Sequence, residues 1–237
     1  MGAIRTRRSF ASGLEHAGGL KAHAQGTLRT VHLLLTDRLT CPRCGPGFGL
    51  ILLADCLVAR RVLEGALGCP NCRDRYPIRD GFGDLRPPPR APLPPPQPLP
   101  RPSGETSDDL VALLGIVDGP GNVALVGRLA AHADALAERI ADVEVVAISA
   151  TSARAGEREG VSRLVSGARL PFRPGTFRAL AMSGDAGAVE ETARLVARGG
   201  RVVLERALAS SAERLERGGT RILLRENDWI VGIRETG

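Results

Sequence analysis

The sequence predicts an α/β protein in two parts: a small β domain clasped around a metal ion, then a mostly parallel sheet closed by an antiparallel hairpin. Three observations carry this. Four cysteines stand in two C-P-x-C pairs, Cys41-Pro-Arg-Cys44 and Cys69-Pro-Asn-Cys72, separated by 24 residues. From about residue 106 onward, apolar strand-like runs alternate with helical ones. The chain then closes on two runs, 220–226 and 229–234, joined by Asn227-Asp228. These read as a hairpin with a two-residue turn.

Two residues between cysteines let one tight turn aim both thiolates at a single ion. A second such pair completes a tetrahedron of four sulfurs. The proline in each turn stiffens it and contributes no N–H. With sulfur in all four positions, no site remains for water or substrate, so the expected metal is a structural zinc with Cys41, Cys44, Cys69 and Cys72 as ligands. Two disulfides, or a redox C-x-x-C, are the alternative readings of the same spacing. The zinc ribbon spans 31–86, and its greasy stretch 48–59, interrupted by Asp55, reads as a hairpin. Cys56, set among apolar neighbours, reads as a small buried hydrophobe. This cysteine usage fits a reducing, cytoplasmic compartment.

Of 237 residues, 43% are hydrophobic but only 3% aromatic, so the core is built from Leu, Val, Ala and Ile. No run approaches the ~18 apolar residues of a membrane span, so no membrane contact is expected. Residues 1–30 are basic and lack an apolar signal core, and read as a disordered tail. The charge is uneven: +7 over the first 107 residues and −1 over the remaining 130. Any pull on RNA therefore belongs to the ribbon half, although the usual aromatic stacking platform is nearly absent. Ten prolines fall in the sixteen residues 87–102. Such a run forms neither helix nor sheet, and makes 87–105 a semi-rigid polyproline linker.

In the second part (106–237), Thr106 or Ser107 is placed to cap a helix opened by Asp108 and Asp109. Gly119-Pro120-Gly121-Asn122 should break it before a buried strand, 123–126. A helix over 129–140 and a second strand over 144–148 follow. Residues 161–165 and 177–183 read as the third and fourth strands, and 186–197 as a helix ended by Arg198-Gly199-Gly200. Residues 201–205 are the fifth strand, and 207–217 a last helix ended by Gly218-Gly219. His132 reads as a surface residue on its helix.

Two resemblances rest on these residues. The knuckles with the following Tyr76-Pro-Ile-Arg-Asp-Gly81 resemble the small zinc-ribbon proteins that act as activator subunits of methyltransferases. They are more distantly similar to the N-terminal ribbon of certain 23S rRNA guanine methyltransferases. Downstream, LPFRPGTFRALAMS (170–183), ARLVARGGRVVLE (193–205) and the terminal hairpin resemble class I S-adenosylmethionine-dependent methyltransferases. That resemblance implies a Rossmann-like sheet and a cofactor loop at the end of its first strand.

The departures bear on function. In VALVGRLAA (123–131) Leu125 stands at the family's acidic position, and Gly127 is the one loop glycine kept. Leu129 and Ala131 replace the other two glycines, and a leucine there would project into cofactor space. Ser149, Ser166 and Arg178 stand where three further acids belong. Gly127 is thus the single cofactor-binding position retained, S-adenosylmethionine binding is in question, and no catalytic residue is identified. The expectation is a degenerate, non-catalytic methyltransferase-like protein that binds or regulates a partner methyltransferase, using an apolar strip near Leu50–Leu53. The alternative is an active S-adenosylmethionine-dependent enzyme acting on RNA or protein.

Overall fold

The computed structural model describes residues 31–93, 104–154, 158–184, 189–208, 210–226 and 228–235. The basic tail (1–30) and most of the proline run (94–103) lie outside the described residues. The first part begins with β1 (Val31–His32) and a single turn, α1 (Leu33–Thr36), then β2 (Thr40–Cys41) paired with β3 (Gly45–Gly49). Antiparallel strands β4 (Ile51–Val58), β5 (Arg61–Gly68), β6 (Arg75–Arg79) and β7 (Phe82–Leu85) follow. Ala59-Arg60 and Asp80-Gly81 take positive φ at both positions. That is the geometry two-residue hairpin turns demand, because its twist matches that of the strands.

The second part runs α2 (Gly104–Leu114), β8 (Asp118–Val126), a 3-10 segment Gly127–His132, α3 (Ala133–Arg139), β9 (Ala141–Ile148), β10 (Val161–Ser166) and β11 (Phe177–Ser183). Next come α4 (Val189–Leu195), β12 (Val196–Glu205), α5 (Ser211–Arg217) and the hairpin β13 (Thr220–Glu226) and β14 (Trp229–Arg234). The fourth strand and the hairpin match the expected spans.

Several boundaries differ, each for a local reason. β8 starts before the glycine–proline run, not after it. The strands are drawn together there so closely that a Cβ on Gly119 would sit 2.0 Å from the Asp142 carbonyl. The helix expected over 129–140 opens as 3-10, with Gly127 at φ +72°. The helix expected to 197 stops at Leu195. β-branched Val196 enters the sheet opposite Phe177, and the register then shifts around Gly199 at φ +75°. α2 already begins at Gly104, so Ser107 lies inside it and is not its cap. Cys56 is half-buried rather than buried, because β4 pairs only with β5 and forms an edge of the sheet.

All but β2 and β3 join one twelve-stranded sheet, in the order β1-β5-β6-β7-β10-β9-β8-β11-β12-β14-β13, with β4 paired to β5. Strands β7 and β10-β9-β8-β11-β12 are mutually parallel, and β14 is antiparallel to both neighbours. Period-2 alternation divides the strand residues between two cores. Val123, Leu125, Val145, Ala147, Ala179 and Ala181 face Leu110, Leu114 and Leu136 of α2 and α3. Ala124, Val146, Leu180 and Leu204 lie in the other core with Leu215 of α5, and that core runs on into ribbon residues Val31, Leu39, Leu67, Tyr76 and Ile78.

The ribbon is therefore built onto the parallel sheet. β7 pairs with β10 from Phe82↔Arg163 to Leu85↔Ser166. Leu39 bridges to Phe172, Thr40 N donates to the Pro171 carbonyl at 2.8 Å, and Arg173 N to the Arg38 carbonyl at 2.9 Å. Phe172 itself packs edge-on to Phe177, ring centroids 4.9 Å apart. Arg61 makes a bidentate pair with Glu144 (2.6 and 2.8 Å), and Glu144 also accepts from Ser162 Oγ. Their side chains are only 15% and 11% exposed. Removing Arg61 strands a largely buried carboxylate with one hydroxyl donor. Arg61→Ala is expected to cost about 3 kcal/mol in urea unfolding, and Arg61→Met with Glu144→Met markedly less, since only the single variant leaves a charge uncompensated.

Candidate functional site

Two places on this frame carry chemistry. The first is the cysteine cluster. The turn after β2 and the turn between β5 and β6 bring Cys41, Cys44, Cys69 and Cys72 together, with all four sulfurs within 4.8 Å of one another. A tetrahedron with ~2.3 Å metal–sulfur bonds has edges of about 3.8 Å. The Cys41–Cys72 sulfurs are 3.6 Å apart and those of Cys44 and Cys69 3.9 Å. All five cysteines are free thiols, so the cluster has the geometry of a metal site and not of two disulfides.

Donors surround these sulfurs. Cys44 N donates to Cys41 Sγ at 3.3 Å, Asn71 Nδ2 to Cys44 Sγ at 3.3 Å, and Tyr76 OH lies 3.4 Å from Cys41 Sγ. Burial pushes the Cys41 thiol up, but the Tyr76 hydroxyl and the Cys44 and Arg43 amides outweigh it and bring it to about 7. Cys72 is pulled down by the Asp74 amide, yet burial and its three neighbouring sulfurs drive it to about 12. Four thiols at this spacing cannot all ionise without a cation among them. Burial and the bond to Cys41 hold Tyr76 above the usual phenol range, so it stays protonated.

The second place is the crevice at the carboxyl ends of β8 and β11. The strand order reverses there, which is where open parallel sheets bind ligands. The structure brings Gly127 to this point, at the end of β8. Arg128 follows it, with its amide donating to Ser183 Oγ at 3.3 Å. Its guanidinium reaches past β11 to Glu205 at the end of β12, in a bidentate pair whose Nε–Oε2 arm is 2.7 Å. Glu205 is 7% exposed, and Leu129, next along the chain, is buried in the α2/α3 core. Leu125 is fully buried within β8. The Ser149 hydroxyl is engaged locally with Thr151 Oγ1 at 2.8 Å. Ser166 Oγ contacts the Gly167 carbonyl, and Arg178 caps the Asp118 and Pro120 carbonyls at the far end of the sheet. The positions expected to be acidic in a cofactor site are thus occupied by residues with other tasks.

Sequence reading missed Arg128–Glu205, although a carboxylate ending an apolar strand was a visible signal. It also placed His132 on the surface. His132 is 8% exposed and its Nδ1 lies 3.0 Å from Ser107 Oγ, joining the 3-10 segment to α2. No periodic signal marks that pair, because the two residues lie on separate helical elements. A different concavity, about 1180 Å³, lies at the opposite, amino end of the strands between α1 and β9.

No protein-family model matches the chain, and no curated protein matches it in sequence. Solved structures match it in fold over about half of the chain. A complex between the Haloferax volcanii Trm112 methyltransferase activator and a protein described as a methyltransferase is 13% identical, covering 55% of this chain and 89% of that one, with a TM-score of 0.41. A geranyl diphosphate methyltransferase in complex with SAM is 13% identical (55% and 85% covered, TM-score 0.41). A precorrin-6y C5,15-methyltransferase from Geobacter metallireducens is 16% identical (56% and 88%, TM-score 0.41). The fold itself is visible in the strand order: a mixed α/β, Rossmann-like sheet ending in an antiparallel pair. Among the described residues, no helix is long and apolar enough to cross a membrane.

Burial holds the His132 imidazole below its ordinary value of 6.5, with Glu205 pulling it up and Arg128 pushing it down. The unfolded chain therefore binds the extra proton first, and stability contributed at this site falls as pH drops below about 6.5. His32, also lowered chiefly by burial, acts in the same direction. The thermal midpoint is expected to fall between pH 7.5 and 5.5, and His132→Gln should flatten that slope. A slope identical in the variant would contradict the assignment.

Proposed function

We propose that this chain is a methyltransferase-like protein that works by binding, with one structural zinc in its ribbon and no methyl transfer of its own. The observation that supports the reading is the Arg128–Glu205 pair joining the ends of β8 and β12, with Leu129, where the resemblance leads one to expect a glycine, buried in the α2/α3 core. Gly127 remains from the cofactor loop, but a lone glycine supplies no charge-assisted contact. Losing several such contacts, at ~1.5–3 kcal/mol each, removes most of the ~8 kcal/mol behind a micromolar affinity. Isothermal titration with millimolar S-adenosylmethionine is expected to give no saturable heat. A saturable isotherm would overturn this reading and restore the active enzyme.

The partner this reading favours is a methyltransferase, by the ribbon's resemblance to the activator proteins. Because β7 is already paired within the chain, such a partner would have to use another ribbon surface. The outer side of β4 offers Ile51 and Leu53, 56% and 45% exposed, while Leu50 and Leu52 pack inward. Five free thiols, four of them gathered as ligands, support placement in the reducing cytoplasm.

Zinc suits the four-thiolate set because closed, soft, tetrahedral sites favour it, and it holds β2–β3 against the β5–β6 turn. Metal analysis should find one zinc per chain, and a strong chelator should lower the thermal midpoint, as should Cys69→Ser. A melting curve indifferent to chelator would refute the zinc assignment.

A further inference from the structure

We infer that Tyr76 is an outer-sphere donor to the thiolate centre, and the link between that centre and the segment leaving the ribbon. The inference rests on the metal reading above. Tyr76 is fully buried on β6, opposite Leu67 of β5, four residues past Cys72. The alternation of β6 turns Tyr76 and Ile78 inward and leaves Arg75 and Arg79 exposed. This orientation carries the hydroxyl to 3.4 Å from Cys41 Sγ. A thiolate bound to one metal ion keeps lone pairs, and a phenol has one hydrogen to give. The hydroxyl therefore donates to sulfur, aiming Cys41 and drawing off part of its charge.

The same ring holds the outgoing chain. The Arg90 guanidinium carbon lies 5.2 Å from the Tyr76 ring centroid. Arg90 also donates to the Arg86 carbonyl at 2.7 Å and to the Arg75 carbonyl at 2.8 Å. Arg43, inside the first knuckle, donates to the Pro88 carbonyl at 3.1 Å and pairs with Asp74, just past the second, at 3.1 Å. Residues 86–90 are thus a strap tied to the first knuckle through Arg43, and to the start of β6 through Arg75 and the Tyr76 ring.

The test uses the full chain loaded with Zn²⁺ or, as a spectroscopic probe, Co²⁺. Tyr76→Phe keeps the ring and the Arg90 contact and deletes only the hydroxyl. Competition against a chelator should show zinc bound about 10–100-fold more weakly, and the sulfur-to-cobalt charge-transfer band should shift. Arg90→Gln serves as a second variant that leaves the buried hydroxyl in place. Its zinc affinity should fall a few-fold, by reciprocity between the strap and the metal. A wild-type chain that binds neither metal defeats the zinc reading itself. A wild-type chain that binds, with both variants matching it in affinity and spectrum, overturns this inference alone.

Discussion

The parallel pairing of β7 with β10 is the constraint on which the rest of the architecture depends. It satisfies the open edge of the parallel sheet with a strand from the same chain, and an uncovered edge is an invitation to pair with other chains. It also fixes where everything else on the ribbon must sit. Once Gly83 stands opposite Leu164, the ribbon's inner residues meet the same core as α5. The 170–173 stretch then runs against β2, and Arg61 falls within reach of Glu144. A core shared in this way couples the ribbon's folding to that of the larger sheet. A metal bound at the cysteines therefore bears on more than its own hairpins.

The two ends of the parallel sheet differ in character. At the carboxyl ends, Arg128, Ser183 and Glu205 tie three strands together with hydrogen bonds, and Leu129 packs into the α2/α3 core. Functional crevices in such folds depend on short, flexible residues that let a ligand approach the backbone. Here the residue after Gly127 is a long arginine whose side chain is bonded to Glu205. An internal pair of this kind gives the strand ends partners within the chain. At the amino ends, the joint between ribbon and sheet leaves an open cleft instead.

Much of the fold was legible in the chain because its signals are local. β-branched runs bounded by glycine read as strands, and the hairpin over 220–234 matched residue for residue. The cysteine quartet named its own geometry, since two-residue spacing admits few ways to orient two sulfurs. Legibility failed where a neighbour distant in sequence decided the outcome. Gly119 reads as a breaker, yet it is the absence of its side chain that lets β8 approach β9. Val196 continues a helical pattern, but its place opposite Phe177 draws it into the sheet. His132 carries no periodic signal of burial, and it is α2, a separate element, that brings Ser107 against its ring.

The sequence by itself determined the α/β class, the four-sulfur site and most strand positions, because each follows from spacing or alternation over a few residues. It also set the expectation, by resemblance, that Leu125, Leu129, Ala131, Ser149, Ser166 and Arg178 stand where a methyltransferase has acids and glycines. Only the tertiary structure decided which side chains meet at the strand ends, and that the ribbon completes the sheet. Arg128 and Glu205 are 77 residues apart, and Arg61 and Glu144 are 83 apart. No local pattern links such partners. They meet because the strand order brings their backbones side by side, and that order is set by edge pairing and core burial acting across the whole chain.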